Sequence, residues 1–287
     1  MIEEIQSVMQ GKTALPIHGR ERLIFSGSDR TRYLNGQTTN DVGKLKPGHA
    51  LHATVCTAKG KMHGEIMITN DGERLLVDFP DSLSETLTMR LEKYIIADDV
   101  EIQPPQERKS GYHLMTERAP DVPQDVECYT STRFQRPGYD LWLPESSRPN
   151  FPVAGTDISE WIRILCGIPR WGTDISENNM PPEAYPELHT ISYRKGCYIG
   201  QEVIARIKSI GQVKKLLCLL QGTQPPAALP VEVIRENRKV GLITSCQHTP
   251  DQDGKYLALG MIQTDHSEPA TEYEVAGCIW WSIRRCN

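Results

Sequence analysis

Hydrophobic and polar positions change their period several times along the chain, and each change marks an element. Residues 22–25, RLIF, read as a short strand; Ser26, Gly27, Ser28 and Asp29 follow as a turn rich in N-cap residues, and residues 30–34 read as the helix it starts. Residues 36–41, GQTTND, are small or polar and suit a loop or a second short helix start. From His49 to Thr69 the pattern is strand-like, broken at Ala58, Lys59, Gly60 and Lys61, which predicts a hairpin turn. A further strand over 74–79 leads into 82–94, where Leu83, Leu87, Leu91 and Tyr94 recur at helical spacing. Residues 103–150 are dense in Pro, Asp and Glu, which predicts short strands joined by long loops. Residues 157–166 turn helical again, with Ile158, Trp161, Ile162 and Leu165 on one face and Gly167, Ile168 and Pro169 as the stop. Val203, Ile204 and Ile207 make a second apolar stripe. After Gly211 the chain becomes short strands and turns, with Arg235, Glu236, Asn237 and Arg238 as a hairpin tip. Strands and helices alternate irregularly and end in a small all-β segment, which predicts an α+β protein with a C-terminal β-barrel or sandwich.

At 287 residues, two or three compact units are expected rather than one. The longest apolar run, residues 216–220, is far short of the roughly 20 residues that span a bilayer. The N-terminal MIEEIQSVMQGK lacks the basic and apolar regions of a signal peptide, so a cytoplasmic location with reduced thiols is expected. A formal net charge of −5 speaks against a broad nucleic-acid platform, and no direct nucleic-acid or membrane binding is expected. The eight cysteines show neither a CxxC pair nor a compact disulfide framework.

Several chemistries lack an anchor. His49, His52, Cys56 and His63 lie close in sequence, but the odd interval between His49 and His52 points them to opposite faces of a strand, so no metal site is expected. Phosphate-binding glycine loops and the GxSxG elbow of Ser hydrolases are absent. What remains is residues 194–202, RKGCYIGQE. A thiol reacts or ligates as thiolate, which nearby cations and a helix N-terminus favour; Arg194 and Lys195 precede Cys197, and a helix begins shortly after it. Gly196 and Gly200 allow tight backbone turns, while Gln201 and Glu202 fall in the first helical turn. On local grounds alone, burial is the commoner fate of a free Cys.

Lys195-Gly196-Cys197-Tyr198-Ile199-Gly200-Gln201-Glu202 resembles the K-G-C-Y-x-G-Q-E signature of the YgfZ-type folate-binding proteins, cousins of the glycine-cleavage T-protein. Further matches follow in the family's order. They are YLNGQTTNDV from Tyr33, CTAKGK from Cys56, CGIPRWGTDI from Cys166 with PPEA from Pro181, and VGLITS from Val240. The resemblance implies a three-domain T-protein-like ring with a central folate channel. Its discontinuous first domain would be residues 1–47 plus 153–213 and carry the signature. Residues 48–152 would form an inserted second domain, and 214–287 a small β-barrel.

Tetrahydrofolate is the cofactor implied. Glu183, in the P-x-E-A position, would hold the pterin, since a carboxylate accepts paired N–H donors from an aminopyrimidine edge; from the residues alone it reads as a capping Glu after two prolines. Tyr198, Gln201, Glu202, Arg206, Asn40 and Asp41 complete the implied cofactor-binding set. Cys197 is the implied functional thiol, aided by Lys195 and Arg194. Residues 75–80, LLVDFP, stand where T-proteins carry a Val-Asn-Ala strand end before a catalytic aspartate region, which points away from aminomethyl transfer. The family is associated instead with assembling or maintaining iron-sulfur clusters in a subset of enzymes, including radical enzymes that modify tRNA. The implied function is therefore a folate-binding accessory factor rather than a conventional enzyme, with iron-sulfur client enzymes or assembly proteins as partners. A folate-dependent one-carbon transferase and a pure interaction protein are the alternatives.

Overall fold

The computed structural model describes residues 2–185, 187–250 and 254–286. Contacts divide the chain into two compact units. A sheet unit comprises Gln6–Ala154 and Leu188–Val203, and a barrel unit comprises Met1–Ile5, Gly155–Glu187 and Ile204–Asn287.

Helix α1 (Ile2–Met9) opens the chain. The strands of the sheet unit are β1 (Leu15–Ile17), β2 (Arg20–Ser26), β3 (His49–Cys56), β4 (Met62–Asn70) and β5 (Leu75–Pro80), then β6 (Glu101–Gln103), β7 (Lys109–Leu114), β8 (Glu127–Ser131) and β9 (Gly138–Pro144). They form one nine-stranded sheet in the order β1-β7-β9-β8-β3-β4-β5-β2-β6. The hairpin expected at residues 58–61 joins β3 and β4, and the single parallel neighbour pair is β3 with β8. Every residue of β5 is buried, because it lies between β4 and β2 with both faces covered. Such a strand shows no apolar-polar alternation, and its one charged residue, Asp78, is ion-paired with Arg20 and Arg133. Helices α2 (Arg30–Gln37) and α3 (Ser84–Glu92) belong to the same unit; Leu34, Leu87 and Leu91 are fully buried, each contributing about 1.5–3 kcal/mol.

Helix α4 (Thr156–Cys166) starts the main part of the barrel unit and ends as its sequence demands. Gly167 takes a left-handed φ of +72°, its N–H donates to the Ile164 carbonyl at 2.9 Å, and the Ile168 N–H donates to Arg163 at 3.0 Å, the Schellman closure that favours Gly. Short helices α5 (Pro181–Ala184) and α6 (Glu187–Thr190) follow, then α7 (Gln201–Ile210). Strands β10 (Lys215–Gly222), β11 (Val231–Arg235), β12 (Arg238–His248), β13 (Tyr256–Gln263), β14 (Glu272–Val275) and β15 (Cys278–Arg285) close a barrel in the order β10-β13-β12-β11-β14-β15. Its interior packs Leu216, Cys218, Leu220, Val233, Tyr273 and Trp280. The apolar run in β10 shows no alternation because α5 packs on that strand from outside. Glu236 and Asn237 both have positive φ, as a two-residue hairpin tip between β11 and β12 requires. No helix among the described residues is long and apolar enough to cross a membrane.

Candidate functional site

Residues 194–202 lie in the sheet unit, held by the end of α2 and the loop after it. The Lys195 side chain is buried, and its ammonium donates to three backbone carbonyls: Asn35 at 2.5 Å, Thr38 at 2.7 Å and Asn40 at 2.6 Å. Carbonyls at a helix C-terminus lack intrahelical partners and carry partial negative charge, so a cation is the group that satisfies them. Burial pushes the Lys195 ammonium down to about 8, with the Asp41 carboxylate drawing it back up. The Tyr198 ring covers it, with Nζ 5.1 Å from the ring centre. Tyr198 is itself buried, and burial raises its hydroxyl pKa.

The segment is fastened further by main-chain bonds. The Ser192 N–H donates to the Thr39 carbonyl at 2.9 Å and the Ile199 N–H to Gly36 at 3.3 Å. Gln201 Oε1 accepts the Tyr198 N–H at 3.3 Å, closing the turn that leads into α7. Gly200 has φ +89°, and a Cβ there would stand 2.5 Å from the Thr57 carbonyl oxygen. Close approach to the β3–β4 turn is thus the reason for glycine. Three stretches distant in sequence, 36–41, 56–61 and 194–202, therefore meet.

Cys197, Gly196 and Arg194 project from this frame and are exposed. Cys197 is alone in this among the eight cysteines, all of which are described. Burial pushes the thiols of Cys56, Cys218, Cys246 and Cys286 up to about 12, where they are inert at neutral pH.

The other expected site residues fall in distinct places. Asn40 Nδ2 donates to the His52 and His189 carbonyls, both at 2.9 Å, and its Oδ1 accepts the Asp41 N–H, so it knits the loop to its neighbours. Asp41 pairs with Lys44 at 2.9 Å. Glu202 and Arg206 are exposed on α7. Glu183 belongs to the barrel unit, as does Arg206. The Glu183 carboxylate is buried, and Oε2 accepts the Asn179 amide at 2.9 Å and the Met180 N–H at 3.2 Å. The capping role that the prolines suggest is real, yet it uses one oxygen; Oε1 has no hydrogen-bond partner among the described residues.

Sequence reasoning passed over a buried ionic chain in the sheet unit. His52 meets Glu65 at 3.2 Å, Glu65 meets Arg20, and Arg20 Nε reaches Asp78 at 2.8 Å. Arg133 then bridges Asp78 and Asp140, each at 2.8 Å, and Asp140 contacts His113 Nδ1 at 2.7 Å. Single charged residues inside apolar strands, Glu65 in β4 and Asp78 in β5, were its visible trace, since such groups are buried only when paired. Arg90 was also missed. It donates to Gln37 Oε1 at 3.0 Å and to the Cys56 carbonyl at 3.3 Å, tying α3 to the ends of α2 and β3.

No family model matches the chain. Full-length relatives are evident nonetheless. The tRNA-modifying protein YgfZ of Aliivibrio fischeri (strain MJ11) is 28% identical over 286 residues, covering 91% of this chain and 88% of the relative. The protein of the same name from Photobacterium profundum is 28% identical over 292 residues, with 91% and 87% covered. That of Escherichia coli (strain SE11) is 27% identical over 280 residues, with 88% and 85% covered. Among solved structures, the glycine cleavage system aminomethyltransferase T from Bartonella henselae superposes with a TM-score of 0.78 at 17% identity, covering 98% of this chain and 87% of that one. That likeness extends the shared fold beyond the barrel to nearly the whole chain. Relatives of one name match most of the chain at 27–28% identity, so the chain is similar in sequence to the YgfZ proteins, and over nearly its whole length it has the fold of the T-protein structure.

Proposed function

We propose that this chain is a cytoplasmic, tetrahydrofolate-binding accessory protein that supports iron-sulfur enzymes, and through them the tRNA modification for which its relatives are named. The observation that carries the reading is the exposure of Cys197, alone among eight thiols, on a loop locked from below by Lys195. A rigid exposed thiol backed by an exposed Arg194 suits contact with the iron or sulfur of a client protein. Lys195 positions that thiol by holding its loop; its own N–H donors are taken by carbonyls.

Glu183 fits the pterin. Its Oε2 is fixed by Asn179 and Met180, which orients the carboxylate, and Oε1 is left to accept an N–H from the aminopyrimidine edge. Tetrahydrofolate, when bound, supplies a carrier for one-carbon units. Removing a charged hydrogen-bonding group costs about 1.5–3 kcal/mol, so Glu183→Ala should weaken tetrahydrofolate binding about ten- to a hundredfold by calorimetry. Unchanged affinity would remove Glu183 from the site, and no binding to the wild type would remove the folate reading altogether. Cys197→Ser should keep the fold yet fail to restore iron-sulfur enzyme activity in a deletion strain; full restoration would end the thiol role. Turnover of tetrahydrofolate to a methylene or methyl form with small amine donors would establish the one-carbon transferase in its place.

A further inference from the structure

The outside of the barrel is covered unevenly. On β13 the outward residues Leu257, Leu259 and Met261 are buried, and α4 packs on that strand and on β12. On β15 the same alternation leads to the opposite result. Trp280 and Ser282 point into the barrel, while Ile279, Trp281 and Ile283 stand outward at 47%, 37% and 40% exposure. Three large apolar side chains in a row on one strand face are more than the scattered single exposures normal for a surface.

Their neighbours give the stripe a sign. Directly opposed residues of antiparallel strands share a face. Trp281 is opposite Glu272, and Ile279 is opposite Glu274, which is in turn opposite Ile234 of β11. Glu272 and Glu274 are exposed, and their carboxylates have no ion pair or hydrogen bond among the described residues. Nearby Glu232, by contrast, is paired with Lys239 at 2.7 Å. The face thus offers an apolar stripe edged by two unneutralised carboxylates.

We infer that the outer face of β14 and β15 is a docking surface for a basic amphipathic helix of a partner protein. Apolar residues of the helix cover Ile279, Trp281 and Ile283, and its Lys or Arg residues reach Glu272 and Glu274, with Trp281 as a surface on which a cation can stack. The barrel is closed, so it has no strand edge to extend, and a partner must lie on the face rather than add a strand. A second copy docked by the same face would set the carboxylate pairs against each other, which disfavours it. Phosphate-rich surfaces, nucleic acid or anionic lipid, are repelled by the same two charges. The inference does not rest on folate binding or on Cys197.

The test uses the full chain and a fluorescently labelled synthetic helix with leucine on one face and lysine on the other, read by anisotropy. The wild type should bind it, and bind the counterpart with glutamate in place of lysine at least about tenfold more weakly. The Ile279→Ser/Trp281→Ser variant should lose at least about tenfold in affinity. Glu272→Gln/Glu274→Gln, which leaves the apolar stripe intact, should weaken binding and flatten its salt dependence. Both variants should keep the wild-type thermal midpoint and tetrahydrofolate affinity, which separates a failure here from a failure of the folate reading. Equal affinity of both variants and wild type overturns the assignment. So does a wild-type dimer that Trp281→Ser converts to monomer, which would give the face to a second copy.

Discussion

Lys195 shows how far one side chain's chemistry depends on where it is placed. Two of the three carbonyls it satisfies belong to the buried residues Thr38 and Asn40, and a buried acceptor without a donor costs about 1–3 kcal/mol. Lys195→Met should therefore lower the stability of the sheet unit by about that amount at pH 7 in urea titrations. A protein that loses no stability would show that water replaces the ammonium. The titration adds a signature. The folded pKa lies near 8 against an ordinary 10.5, so between those values the unfolded chain binds more protons and stability rises with pH. Measured against Lys195→Met, the wild type should gain stability from pH 8 to 10.5, and parallel pH profiles would place the ammonium in a better solvated site.

At the level of elements, the decisive feature is the turn that presents Cys197. Gly200 is left-handed and lies against the β3–β4 turn, whereas nothing stands within 4 Å of a Cβ added at Gly196. Gly200→Ala combines a left-handed conformation, about 1–2 kcal/mol for an L-residue, with a clash against backbone that cannot yield cheaply. It should lower the thermal midpoint and speed modification of Cys197 by a thiol reagent as the loop loosens. Gly196→Ala should stay within about 0.5 kcal/mol of wild type. Equal behaviour of the two would show that the loop is not held through Gly200. Most elements were legible locally: the stop of α4 at Gly167, the β11–β12 tip and the β3–β4 hairpin all follow from residues within one or two turns of themselves. Residues 103–150 were less so, because β7, β8 and β9 are defined by pairing with one another rather than by their own periodicity.

At the scale of the molecule, the ionic chain links β2, β3, β4, β5, β7 and β9 of the sheet. Burial acts to raise the Glu65 carboxyl, but Arg20 and then His52 outweigh it and hold it down to about 2, against an ordinary 4.5. Its contribution is present above pH 4.5 and lost as pH falls toward 2, since there the unfolded chain binds the proton first. Glu65→Gln, less stable at neutral pH, should lose less stability than the wild type between pH 4.5 and 2, and equal acid slopes would assign the loss to other carboxylates. From the sequence alone came the mixed fold class, the C-terminal barrel, the stop of α4, the family resemblance and the choice of Cys197 among eight thiols. Each of these rests on local periodicity, on breakers such as Gly167, or on a contiguous motif. The tertiary structure decided the sheet order, the partners of Glu65 and Asp78, the single uncommitted oxygen of Glu183 and the burial of Lys195 beneath an exposed Cys197. Those depend on contacts such as Lys195 with Asn35, 160 positions apart, and no local pattern encodes which distant carbonyl a cation will meet.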